Sequence, residues 1–101
     1  MSDLSQTSKT AAWTCTDLAI TNKRGLHARA SSKFVQTCET FDAEITVTKD
    51  ESTVGGQSIM GLMLLAASPG STIRVCARGP QSSDALAALA TLLADKFGEG
   101  E

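Results

Sequence analysis

A-E-I-T-V-T, Ala43 to Thr48, alternates strictly between apolar and polar residues. Successive side chains of an extended chain point to opposite faces, so Ala43, Ile45 and Val47 line a core while Glu44, Thr46 and Thr48 face water. This is a half-buried strand. Lys49 to Ser52 then reads as a hairpin loop, and Thr53 to Gly55 as a short returning strand that stops at Gly55-Gly56. Before it, Leu18 and Ile20 alternate with Asp17, Ala19 and Thr21, which predicts a strand over residues 14–21 whose start is blurred by Trp13 and Cys15. Asn22 to Gly25 is turn chemistry. From Ala28 to about Cys38 the apolar positions Ala30 or Ser31, Phe34, Val35 and Cys38 recur at helical spacing.

The second half of the chain carries signals of the same kinds, without an internal repeat. Ser58 precedes the apolar run I-M-G-L-M-L-L-A-A and can cap a short helix that ends at Ser68-Pro69-Gly70. Ser71 to Ala77 is a strand with Ile73, Val75 and Ala77 on one face. Gly79-Pro80 breaks the chain. A last helix is expected with Ser82 or Ser83 as its cap and Asp84 in its first turn. Its buried stripe is Leu86, Leu89, Leu93 and Phe97, with Lys96 near the C-terminus. The order is βαββαβα. Its economical solution is an α+β open-faced sandwich, a four-stranded, mainly antiparallel sheet with three helices on one face.

Composition narrows the functional classes. A chain of 101 residues with 42% hydrophobic content buries one modest core, so a single domain is expected over residues 13–101, after a disordered N-terminal extension over 1–12. With a formal net charge of -2 there is no basic excess for nucleic acid. The longest apolar run, Ile59 to Ala67, is nine residues and far below the roughly 20 that a membrane span needs. The first dozen residues lack the apolar segment of a secretory signal, which predicts a cytoplasmic address. Cys15, Cys38 and Cys76 form no C-x-x-C pair and read as free thiols, and no metal-ligand spacing is present.

The chemistry concentrates at R-G-L-H-A-R, Arg24 to Arg29. His27 is the only histidine, flanked by two arginines, with no carboxylate within nine residues on either side. It falls at the start of the first helix, where backbone N–H groups lack intrahelical partners and the dipole is positive. That is an anion site, to which Arg29 adds a bidentate phosphate donor. An uncharged imidazole there is expected to attack a phosphoryl donor, after which the helix end and Arg29 hold the group. On this reading the cations await a negative charge that the protein does not itself supply. The plainer reading is that His27 only caps or packs.

G-L-H-A-R, Gly25 to Arg29, together with V-G-G-Q-S-I-M-G-L-M, Val54 to Met63, resembles the HPr/NPr family of phosphocarriers in the phosphoenolpyruvate-dependent phosphotransferase system. The resemblance runs from about residue 14 to residue 97. It implies that His27 accepts a phosphoryl group on Nδ1 from enzyme I and passes it to an EIIA-type domain, in sugar transport or in nitrogen-type regulation, with Arg29 stabilising the group. It also implies that Ser58 is a regulatory site for an HPr kinase/phosphorylase, and that Ala28, Arg29, Ile59, Met60 and Met63 form the partner interface. Methionines suit a surface that meets several partners. Leu62 and Leu65 are expected to fill the core. Two positions depart from the family pattern: Ala30 replaces the usual proline and Arg24 a frequent asparagine. The expected protein is a monomeric carrier rather than a turnover enzyme, with no metal or cofactor of its own. The rival is a regulatory or metabolite-binding α/β sandwich without phosphotransfer, in which His27 merely packs.

Overall fold

The computed structural model describes residues 12–65 and 68–100. All but the last residue of the expected N-terminal extension lies outside the described residues. The strands are β1 (Thr14–Ala19), β2 (Glu44–Lys49), β3 (Ser52–Gly55) and β4 (Thr72–Arg78), and the helices α1 (Ala28–Glu39), α2 (Ile59–Leu64) and α3 (Ser82–Ala94). They form one antiparallel sheet in the order β1-β4-β2-β3, with β2 and β3 joined by a tight hairpin in which Asp50 has φ 56°. This is the open-faced α+β sandwich expected from the sequence.

The alternation in β2 holds as read: Ile45 and Val47 are buried beside Ile73, Val75 and Ala77 of β4. Phe34, Val35 and Cys38 of α1, Leu62 of α2 with Leu65 after it, and Leu86, Leu89 and Leu93 of α3 complete that core. The other face of the sheet is polar. Arg74 pairs with Asp17 directly opposite, Arg78 with Glu44, and the Arg78 guanidinium lies 4.4 Å from the centre of the Trp13 ring. Such exposed pairs contribute little to stability and mainly keep the face wet. Trp13 and Cys15 blurred the strand start because both belong to this outer face.

Three expectations are corrected. Cys15 and Cys76 are not free thiols: β1 and β4 place them directly opposite, with Cα atoms 4.0 Å apart, and they form a disulfide, whereas Cys38 is free and buried. A separation of 61 residues hid a pairing that only the strand register creates. Neither Ser82 nor Ser83 caps α3. The N-cap is Gln81, whose side chain is engaged elsewhere, its Oε1 accepting the Asp42 N–H at 2.7 Å while the Gln81 backbone N–H donates to the Asp42 carbonyl at 3.1 Å. Phe97 completes the buried stripe but not the helix. α3 ends at Ala94, and Phe97 lies in a 3-10 turn, Lys96–Gly98, with φ 53° at Lys96 and 56° at Phe97. Burying the ring stabilises a backbone conformation that non-glycine residues avoid. Among the described residues no helix is long and apolar enough to cross a membrane.

Candidate functional site

The loop between β1 and α1 is pinned from within. Gly25, at φ 66°, makes the reversal. Its N–H donates to the Asn22 carbonyl at 3.3 Å, and the Asn22 side-chain NH2 donates to the Gly25 carbonyl at 2.8 Å. Leu26 is buried, and its carbonyl accepts from Ser31 Oγ at 3.2 Å. With both flanks fixed, His27 becomes the N-cap of α1, its backbone extended at φ -75° and ψ -178° and its carbonyl accepting the Ser31 N–H at 2.9 Å.

The imidazole itself does the capping. Nδ1 accepts the Arg29 backbone N–H at 3.3 Å, so its lone pair points at the open end of the helix. Lys23, Arg24, Arg29 and Lys33 line, together with His27, Gly98 and Glu99, a cavity of 430 Å³. Four cations over a helix N-terminus attract an anion strongly.

Residues 15–95 match the sequence family described as the PTS HPr component phosphorylation site. The chain belongs to the HPr family of phosphocarriers. It is 51% identical over 84 residues to the phosphocarrier protein HPr of Neisseria meningitidis, covering 83% of this chain and 94% of that one. To the phosphocarrier protein NPr of Shewanella violacea it is 39% identical over 82 residues, covering 81% and 90%. The crystal structure of an HPr from Thermoanaerobacter tengcongensis superposes with a TM-score of 0.82 at 42% identity, covering 85% of this chain and 97% of that one. The protein is thus a phosphocarrier of the phosphotransferase system, with the HPr fold.

Within this HPr fold the motif residues occupy two neighbouring helix starts. Ala28 and Arg29 are exposed at the first turn of α1, and Ala30, in place of the family's usual proline, is fully buried. Ser58 is the N-cap of α2, its exposed Oγ accepting the Gly61 N–H at 2.9 Å. α1 and α2 pack against each other. Leu62 and Leu65 point into the core, as expected, while Ile59, Met60, Met63 and also Leu64 are exposed, Met60 at 70% and Leu64 at 79%. Together they leave an exposed apolar patch beside the start of α1.

One residue of the site was missed altogether. Glu99 Oε2 lies 2.5 Å from His27 Nε2, so the protein does supply a negative charge to its histidine, against the expectation from sequence. Its Oε1 accepts from the Asn22 side-chain NH2 at 3.1 Å. Burial pushes the Glu99 carboxyl upward, but hydrogen bonds from Asn22 and His27 and the charge of Arg24 outweigh it and hold it below the usual carboxylate value. The only sequence signal was the sharp turn: Gly98 and Gly100 straddle Glu99 just past the last apolar position of the C-terminal stripe.

Proposed function

We propose that His27 carries the phosphoryl group, on Nδ1, and that Arg29 holds it there. The observation that carries this reading is the capping bond. The nitrogen whose lone pair accepts the Arg29 N–H is the one free of hydrogen, and it faces the start of α1, beside a cavity lined by cationic side chains. Attack by Nδ1 on phosphorus replaces a weak N–H···N contact with phosphoryl oxygens, which the same amide and the Arg29 guanidinium can bind. Enzyme I is the donor and an EIIA-type domain the acceptor. Both dock over Ala28, Arg29, Ile59, Met60 and Met63, where exposed methionines can repack against different partners.

Ser58 is a regulatory site for an HPr kinase/phosphorylase. A phosphoryl group of about -1.5 to -2 charges on its exposed Oγ lies at a helix start, which favours it, and inside the docking patch, which disrupts docking. The working unit is residues 13–101, monomeric and cytoplasmic, without a metal or cofactor of its own.

The test is incubation of the full chain with phosphoenolpyruvate, enzyme I and magnesium, followed by intact-mass analysis. The expected result is one acid-labile phosphoryl group per chain, absent in His27→Ala. An unmodified wild-type chain, or an equally modified His27→Ala, contradicts the assignment and returns His27 to a capping role.

A further inference from the structure

The ring of His27 has two nitrogens, and both have partners. Nδ1 accepts a backbone N–H, so it bears no hydrogen; Nε2 must therefore bear one, and Glu99 Oε2 is the acceptor it meets. An ionised carboxylate can only accept. We infer that Glu99 is a positioning residue that fixes His27 as the Nε2–H tautomer and keeps that proton in place while the phosphoryl group arrives and leaves.

Three features show that Glu99 is aimed rather than adrift. Asn22, fully buried, gives its side-chain NH2 to the Gly25 carbonyl and to Glu99 Oε1, tying the carboxylate to the loop that carries the histidine. The Phe97 ring is anchored in the core two residues before it, and Lys33 Nζ grips the Phe97 carbonyl at 2.5 Å. Glu99 is also mostly buried, its side chain 14% exposed and that of His27 18%. A carboxylate held from three directions costs little entropy to present.

The chemical consequence rests on the phosphocarrier reading of His27 given above. When Nδ1 attacks the phosphorus of phosphorylated enzyme I, the P–Nδ1 bond forms, the bond to the donor breaks, and its electron pair leaves with the donor. Nδ1 had no hydrogen to lose, so the ring becomes a phosphoimidazolium with its proton still on Nε2. The ring cation then lies in a cavity lined by Lys23, Arg24, Arg29 and Lys33, and the Glu99 carboxylate opposite Nε2 offsets it on the side away from the phosphoryl group. On delivery to the acceptor the P–Nδ1 bond breaks and its electron pair returns to the ring, which leaves as neutral imidazole with the same proton. The relay then needs no proton exchange with water in either direction.

The experiment separates tautomer from transfer. In the full chain, the ring nitrogen shifts of His27 at neutral pH report which nitrogen is protonated, with no phosphorylation required. Wild type should show the Nε2–H form alone, and Glu99→Ala a mixture of both tautomers. Phosphoryl acceptance by Glu99→Ala should slow about tenfold or more, the loss expected for a charge-assisted hydrogen bond. Glu99→Gln, which keeps an acceptor but no charge, should retain the tautomer and still transfer slowly. An Nε2–H ring unchanged in Glu99→Ala, or transfer within about twofold of wild type, overturns the role of Glu99. Failure of wild type itself to accept the group would instead remove the assignment of His27 as carrier, leaving the tautomer comparison to decide on Glu99.

Discussion

Two adjacent glycines that end β3 should respond oppositely to the same methyl group. A Cβ at Gly56 would lie 2.8 Å from Ile45 Cγ2, 3.0 Å from Ile45 Cβ and 3.1 Å from Cys38 Sγ. All three atoms belong to buried side chains, one of them β-branched on the central strand β2 and stiff about χ1. The backbone is also tied there, the Gly56 N–H donating to the Ile45 carbonyl at 2.8 Å. Relief therefore requires β2 or α1 to shift by several tenths of an ångström, a strain of about 1–3 kcal/mol. Reduced freedom of the unfolded chain returns about 0.4–1 kcal/mol, since neither glycine has a positive φ. Gly56→Ala should lose about 1–2 kcal/mol and melt about 5–15 °C lower. Gly55→Ala meets nothing within 4 Å and keeps only the entropic gain, so it should match or exceed wild type. Urea unfolding followed by circular dichroism gives both values. A Gly56→Ala midpoint at or above wild type, or an equal fall in Gly55→Ala, would refute the packing argument.

Further expectations concern the site and the thiols. Arg29→Lys keeps the charge but loses the planar fork, so phosphoryl transfer should slow about tenfold while stability, measured by the same urea assay, stays within about 0.5 kcal/mol. Ser58→Ala should lose about 1 kcal/mol with the cap to Gly61, whereas Ser58→Asp, itself a capping residue, should keep that stability and slow acceptance from enzyme I. Burial and the nearby Glu39 charge push the Cys38 thiol up to about 12. Iodoacetamide at pH 8 should therefore leave the native chain unlabelled, label one cysteine once the unreduced chain is unfolded, and three after reduction.

What was legible in the sequence was local. The alternation of β2, the helical spacing of Phe34, Val35 and Cys38, and a lone histidine between a turn glycine and an arginine are each short-range patterns, and each survives in the structure. Ser58 was readable as a cap because a cap contacts residues only three positions on. What was hidden depends on pairing at long range. Glu99 meets His27 across 72 residues, because Phe97 plugs the core and the chain turns there through two positive-φ residues instead of continuing α3. Periodicity registers Phe97 as the next turn of a helix and cannot register the bend. The Cys15–Cys76 bond likewise follows from the antiparallel register of β1 on β4, which no spacing of cysteines encodes.

The account rests on Nδ1 of His27 as the atom that takes phosphorus. Phosphorylating ring-15N-labelled protein with enzyme I and phosphoenolpyruvate, and reading the 31P–15N coupling, identifies the bonded nitrogen directly. The coupling is expected at Nδ1, with the hydrogen retained on Nε2 beside Glu99. Phosphorus bonded to Nε2, or to any residue other than His27, would contradict the account.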